Sequence, residues 1–159
     1  MNKQYVVRLK PLIVCLLIPF AVGLIGSLFT RAGMEWFEAL CQPRLTPPNA
    51  VFSLVWSALY LLMGVSSYMV FTCRAPERKR AMKLYGWQLL VNLLWPFFFF
   101  ALEKPLLGLI AAVALLVLVI MMVRAFMCVS KKAAWMNIPY IVWLVFAIYL
   151  NLGVIALNA

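Results

Sequence analysis

Five long apolar runs separated by short polar segments organise the chain, at residues 11–29, 51–73, 84–102, 105–127 and 133–157. Each has roughly the 20 mostly apolar residues that a helix needs to cross a hydrocarbon core. None alternates apolar with polar residues at period two, which disfavours barrel strands. The pattern predicts an all-α membrane protein, a five-transmembrane-helix bundle, as a single domain over residues 1–159. The first run follows Lys3, Arg8 and Lys10, as a signal peptide would, yet no small-residue cleavage site precedes Thr30, so it reads as a retained helix.

Polar and aromatic residues inside the runs fall at helical spacing. In the second run Ser53, Trp56, Tyr60, Met63 and Ser67 recur at steps of three and four, so they share one face. Gln88, Asn92, Trp95 and Phe99 do the same in the third, and Tyr140, Trp143, Ala147 and Asn151 in the fifth. An unpaired amide in lipid costs several kcal/mol, so Asn92 and Asn151 are expected to face inward, toward each other, toward indole and phenol donors, or toward a ligand. Two readings stand. Asparagine serves as interhelical glue, contributing roughly 0.5–2 kcal/mol, or the three stripes line a pocket for a flat, hydrophobic, hydrogen-bonding guest.

The first and fourth runs carry small residues instead: Gly23, Gly26 and Ser27 in one, Gly108 and Ala112 in the other. These suit close helix approach, within the bundle or between protomers. Pro19, Pro96 and Pro139 are expected to interrupt three helices near the pocket. The longest connection, residues 30–50, contains Trp36, Phe37, Pro43, Pro47 and Pro48. It reads either as a functional lid or as an interfacial segment anchored by Trp36.

Composition narrows the chemistry. Of the 159 residues, 67% are hydrophobic and 11% charged, far from the balance of a soluble domain. The net charge of +10 would suggest nucleic acid if it covered a soluble surface. Its distribution says otherwise. Lys3, Arg8 and Lys10 precede the first run; Arg74, Arg78, Lys79, Arg80 and Lys83 follow the second; Arg124, Lys131 and Lys132 close the fourth. On the opposite side Arg31, Arg44 and Lys104 are balanced by Glu35, Glu38 and Glu103. Basic short loops stay cytoplasmic, so a cytoplasmic N-terminus and an external C-terminus are expected, in a bacterial cytoplasmic membrane. The basic loops also meet lipid headgroups, although topology alone accounts for them.

The chain has no histidine and no aspartate. This excludes a Ser-His-Asp triad and any His-ligated metal or haem within the chain. The four glutamates lie in loops or at helix ends, which argues against a carboxylate relay. Cys15, Cys41, Cys73 and Cys128 are scattered without a metal or disulfide spacing. No metal, cofactor or catalytic residue is expected.

The stretch WFEALCQPRLTPPNAVFSLVWSALYLLMG, from Trp36 to Gly64, resembles the translocator protein, or tryptophan-rich sensory protein (TspO/MBR), family. The blocks NLLWPFFFF (Asn92 to Phe100) and PYIVWLVFAIYLN (Pro139 to Asn151) follow in that family's order and spacing, so the resemblance covers nearly the whole chain. It implies a five-helix bundle, usually a homodimer, whose cavity opens near the first loop and binds porphyrins, sterols or synthetic aromatic ligands. The residues matching that cavity are Pro47, Pro48, Tyr60, Asn92, Trp95, Trp143, Ala147 and Asn151. The family usually has tryptophan where this chain has Ala50, and links that indole, with the one matched by Trp143, to light-dependent porphyrin breakdown. Loss of the indole implies weakened or altered porphyrin binding and reduced breakdown, with Trp56 and Trp36 as candidates to compensate. The leading expectation is a receptor or binding protein for a tetrapyrrole (porphyrin or haem, as ligand) or sterol-like molecule. A transporter is the runner-up, followed by an enzyme and by a structural scaffold.

Overall fold

The computed structural model describes residues 8–158, so Lys3 lies outside the described residues. Seven helices follow one another: α1 (Leu9–Ala32), α2 (Met34–Ala39), α3 (Asn49–Thr72), α4 (Arg78–Pro96), α5 (Pro105–Val129), α6 (Lys131–Trp135) and α7 (Ile138–Leu157), with a π-helical turn, Phe97–Ala101, prolonging α4. Among the described residues there is no strand. Five units are long and apolar enough to cross a membrane: α1, α3, α4 with its π turn, α5, and α6 with α7. The expected spans are therefore present. The connection over residues 30–50 is shorter than its sequence suggests, because α1 runs on to Ala32 and α2 fills part of it.

The chain's small residues set the helix contacts. α1 packs along α3 and α4, α4 along α5, and α5 along α7. α6 and a set of aromatic rings close α7 back onto α3. Apolar burial gives little net drive in lipid, so backbones must approach closely. Gly64 of α3 leaves room only for Cys15 and Leu16 of α1, and Gly23 of α1 lies against the Tyr60 ring. Gly26 faces Pro96, and Gly108 of α5 faces Phe99 and Asn151. The glycines of the first and fourth runs thus act within the bundle. In α5 the buried positions Gly108, Ala112, Leu115, Val119, Met122 and Phe126 recur every three or four residues, while Val113, Val117 and Ile120 face outward.

The three prolines behave differently. Pro19 corrects the expectation of an interruption in the first span: it is buried inside α1, which runs as one helix from Leu9 to Ala32. Pro96 ends the regular α4 ladder, since it has no N–H, and the chain widens into a π turn in which Leu102 N–H donates to Phe97 O at 3.0 Å. Pro139 likewise interrupts nothing: it lies in the first turn of α7, where a missing N–H is harmless. The break in the fifth span falls before it. There the Asn137 amide donates to Ala133 O at 2.8 Å and to Ser66 Oγ at 2.9 Å, tying the α6–α7 junction to α3.

The ends of the bundle differ in charge. Arg74, Arg78, Lys79, Arg80, Arg124, Lys131 and Lys132 lie at the end where α3 stops, α4 starts and α5 stops, an end joined by Cys73 Sγ–H donating to Val129 O at 3.7 Å. At the other, neutral end, Asn158 clamps the first loop. Its Oδ1 accepts from Cys41 N–H at 2.9 Å, and its amide donates to Cys41 O at 2.9 Å. Pro43 seats against Gly153 beside this clamp.

Candidate functional site

α1 and α3 are in close contact at Gly64, against Cys15 and Leu16, in the half nearer the basic end, and leave room between them from Gly23 of α1 and Tyr60 of α3 onward. Gly64 holds the backbones together below, Gly23 and Tyr60 line the lower part, and above them Ser27 and Thr30 on α1 face Phe52, Ser53, Trp56 and Ser57 on α3. The result is a cavity of about 420 Å³ whose rear wall is Asn92, Trp95 and Pro96 of α4. Leu24, Ser53 and Ser57 at its edges are exposed, so it is a groove open on the lipid-facing side between α1 and α3. Its size lies within the roughly 300–1,000 Å³ of small-molecule sites.

Ser27, Thr30 and Ser57 are tolerable at this depth because the hydroxyl of each returns to its own helix. Ser27 Oγ donates to Leu24 O at 2.7 Å, Thr30 Oγ1 to Gly26 O at 3.1 Å and Ser57 Oγ to Ser53 O at 2.8 Å. Their oxygens keep lone pairs with which to accept from a guest. At the outer mouth stand Arg31 and Met34.

Behind the groove runs a chain of polar bonds that joins three helices. Tyr60 Oη donates to Asn92 Oδ1 at 3.1 Å, Asn92 Nδ2 donates to Tyr140 Oη at 2.7 Å, and Tyr140 Oη donates to Gln88 Oε1 at 3.1 Å. The hydroxyl protons of both tyrosines thus point away from the groove, leaving the Tyr60 oxygen as an acceptor toward it. Gln88, Asn92 and Tyr140 are essentially fully buried. Asn92 of α4 thus ties α3 to α7 through its two tyrosine bonds, and it also lines the groove.

Around this chain the rings form one cluster. Phe52 lies 5.6 Å from Trp143 and 6.4 Å from Trp95, and Trp56 lies 5.9 Å from Trp95 and 5.5 Å from Tyr60, centroid to centroid. The indole N–H groups of Trp56, Trp95 and Trp143 are enclosed without an acceptor.

Of the residues singled out from sequence, Trp56, Tyr60, Asn92 and Trp95 line the groove, while Gln88, Tyr140 and Trp143 support it from behind. Ala147 is buried in the core beneath them. Phe99 and Asn151 lie elsewhere. Phe99 stacks edge-on with Trp36 at 5.8 Å and Phe37 at 5.9 Å, which docks α2 onto the π turn. Asn151 is 2% exposed, its amide has no partner, and it sits near Gly108 instead of meeting Asn92. Pro47, Pro48 and Ala50 do not line the groove. Pro48 starts α3, its carbonyl accepting from Val51 and Phe52 N–H at 2.9 and 3.1 Å. Ala50 is exposed in the first turn of α3, one turn above Ser53 on the row that continues to Ser57.

Sequence reasoning missed the α1 wall, including Phe20, Ser27, Thr30 and Arg31, and also Phe52. The signal was present in the small-residue stripe of α1: a helix that offers glycine and serine opposite tryptophans leaves a void wherever its partner diverges.

The comparisons with known proteins agree with this arrangement. The TspO/MBR family pattern matches residues 15–157. A relative named tryptophan-rich protein TspO, from Chlorobaculum tepidum, is 35% identical, with 99% of each chain covered. One of the same name from Archaeoglobus fulgidus is 34% identical over 93% of this chain and 97% of its own. The translocator protein of Bos taurus is 35% identical over 85% of this chain and 82% of its own. Five spans, three tryptophans gathered at a membrane groove and likeness along nearly the whole length point the same way, and the chain belongs to the TspO/MBR family.

Proposed function

We propose that the protein is a membrane receptor, a binding protein for a hydrophobic tetrapyrrole or sterol-like ligand that it senses or scavenges. The observation that carries this reading is the groove: aromatic on three sides, open toward lipid, and holding hydroxyl acceptors and the Tyr60–Asn92 pair at its back. A membrane-dissolved guest enters such a site without crossing water, and its N–H or O–H groups find the Tyr60 oxygen. The chain acts as a homodimer in the bacterial cytoplasmic membrane, with its basic end inside, as a binder and not an enzyme. Nucleic acid has no part in this reading.

Titration of the purified protein with protoporphyrin IX, followed by quenching of tryptophan emission, tests it. Saturable binding at one site per chain is expected, weakened at least about tenfold by Asn92→Ala, which removes the amide at the groove's back. A linear, unsaturable titration overturns the reading.

The name translocator, borne by the bovine relative, favours a second reading as a transporter. Against it, α1 and α3 are closed below the groove, in the half nearer the basic end, by Gly64 of α3 packed on Cys15 and Leu16 of α1. In sealed vesicles a binder takes up ligand only in proportion to protein, whereas a transporter exceeds that amount.

A further inference from the structure

A second cleft lies at the basic end, far from the groove. We propose that Arg80 and Arg124 form a seat for the phosphodiester headgroup of an anionic phospholipid. The cleft, about 490 Å³, opens between the first turn of α4 and the last turns of α5, where Arg80 and Arg124 meet Glu77, Met121, Ala125 and Cys128. This inference is independent of the ligand assigned to the groove.

Arg124 is the only charged residue in the 25 residues of α5. At 1.5 Å per residue it stands about 28 Å from Pro105 along the axis, which places it at the headgroup level when the helix start is at the opposite boundary. A guanidinium at that level attracts an anionic headgroup. Among the described residues Glu77 is the only carboxylate at this end of the bundle, and it lines the cleft together with both arginines. Two guanidinium groups against one carboxylate leave the cleft with one excess positive charge, which a single phosphodiester neutralises. Arginine suits that role through paired N–H donors. Arg78 does not line the cleft, and its Nη1 donates to Phe71 O at 3.4 Å.

Free phosphate shares the headgroup's chemistry, but the surroundings favour a lipid. Below Arg124 the exposed side chains Met121, Val117 and Val113 follow at steps of three and four along α5. They form an apolar track on which an acyl chain lies directly under its headgroup.

Native mass spectrometry of the detergent-purified full chain, titrated with phosphatidylglycerol, phosphatidylcholine and glycerol 3-phosphate, tests the proposal. One phosphatidylglycerol is expected to remain bound, with about tenfold preference over phosphatidylcholine and no glycerol phosphate adduct. Arg80→Gln and Arg124→Gln each reduce retention by about tenfold, while Lys79→Gln, the same charge change outside the cleft, stays within about twofold. Glu77→Gln raises retention, a gain that misfolding does not mimic. Equal retention of both lipids, a Lys79→Gln loss as large as that of Arg124→Gln, tight binding of glycerol phosphate, or no gain with Glu77→Gln each overturn the assignment.

Discussion

Asn92 of α4 donates to the Tyr140 hydroxyl of α7 at 2.7 Å, across the interior of the bundle, and that hydroxyl in turn donates to Gln88 Oε1 at 3.1 Å. Tyr140→Phe therefore strands two buried groups, the Asn92 amide and the Gln88 carbonyl, at a cost of about 1–3 kcal/mol. Tyr60→Phe strands only the Asn92 carbonyl and costs about 0.6–1.7 kcal/mol. Thermal unfolding in detergent should place the Tyr140→Phe midpoint below that of Tyr60→Phe; the reverse order contradicts the direction assigned to the chain of bonds.

Asn151 makes a contrasting case, because its side-chain amide has no partner to lose. Asn151→Leu, similar in volume, is expected to leave the unfolding midpoint unchanged or to raise it by the equivalent of about 1–2 kcal/mol. Should the variant also lose porphyrin affinity, the unpaired amide is a ligand contact. A lowered midpoint shows that it is bonded in the folded protein.

Two glycines separate close packing from open helix surface. A methyl group on Gly33 would run into the Phe100 carbonyl, whereas one on Gly86 meets nothing within 4 Å. Gly33→Ala should destabilise by about 1–3 kcal/mol through forced movement of the α1–α2 junction. Gly86→Ala should stabilise by about 0.5–1 kcal/mol through helix propensity. Melting curves of the two single variants decide the matter.

Native cysteines report the orientation. Cys41 is exposed at the neutral end and Cys128 at the basic end, while Cys15 is buried. In intact cells carrying Cys15→Ser and Cys73→Ser, a membrane-impermeant maleimide should label Cys41 and spare Cys128 until the membrane is opened. Labelling of Cys128 alone in intact cells inverts the proposed topology.

At the mouth, Ala50→Trp sets an indole one turn above Ser53, on the row that borders the groove. It should tighten protoporphyrin binding and speed photobleaching of the bound porphyrin relative to the parent chain. Equal affinity and equal bleaching in both proteins would refute a role for this position.

Much of this was legible beforehand. The five spans follow from hydropathy and length alone, since a backbone in lipid must satisfy its own hydrogen bonds and therefore forms helices of predictable extent. The gathering of charge at one end follows from where the runs stop. That Gln88, Asn92 and Tyr140 are buried follows from their shared helical faces, because amides and phenols are costly against hydrocarbon.

Other features depended on the fold. Helical period assigns a residue to a face, but it does not say how far that face stands from its neighbour. The groove exists because α1 and α3 close on each other at Gly64 and leave room from Gly23 and Tyr60 onward, a property of the pair that neither helix encodes alone. For the same reason Asn92 and Asn151, alike in sequence context, part company: one meets two tyrosines, the other sits unpaired near Gly108. By itself, then, the sequence determined the spans, the distribution of charge and which side chains turn inward. Only the tertiary structure decided which inward faces touch and which leave room for a guest, because distances between helices are set by packing at a few small residues and not by periodicity.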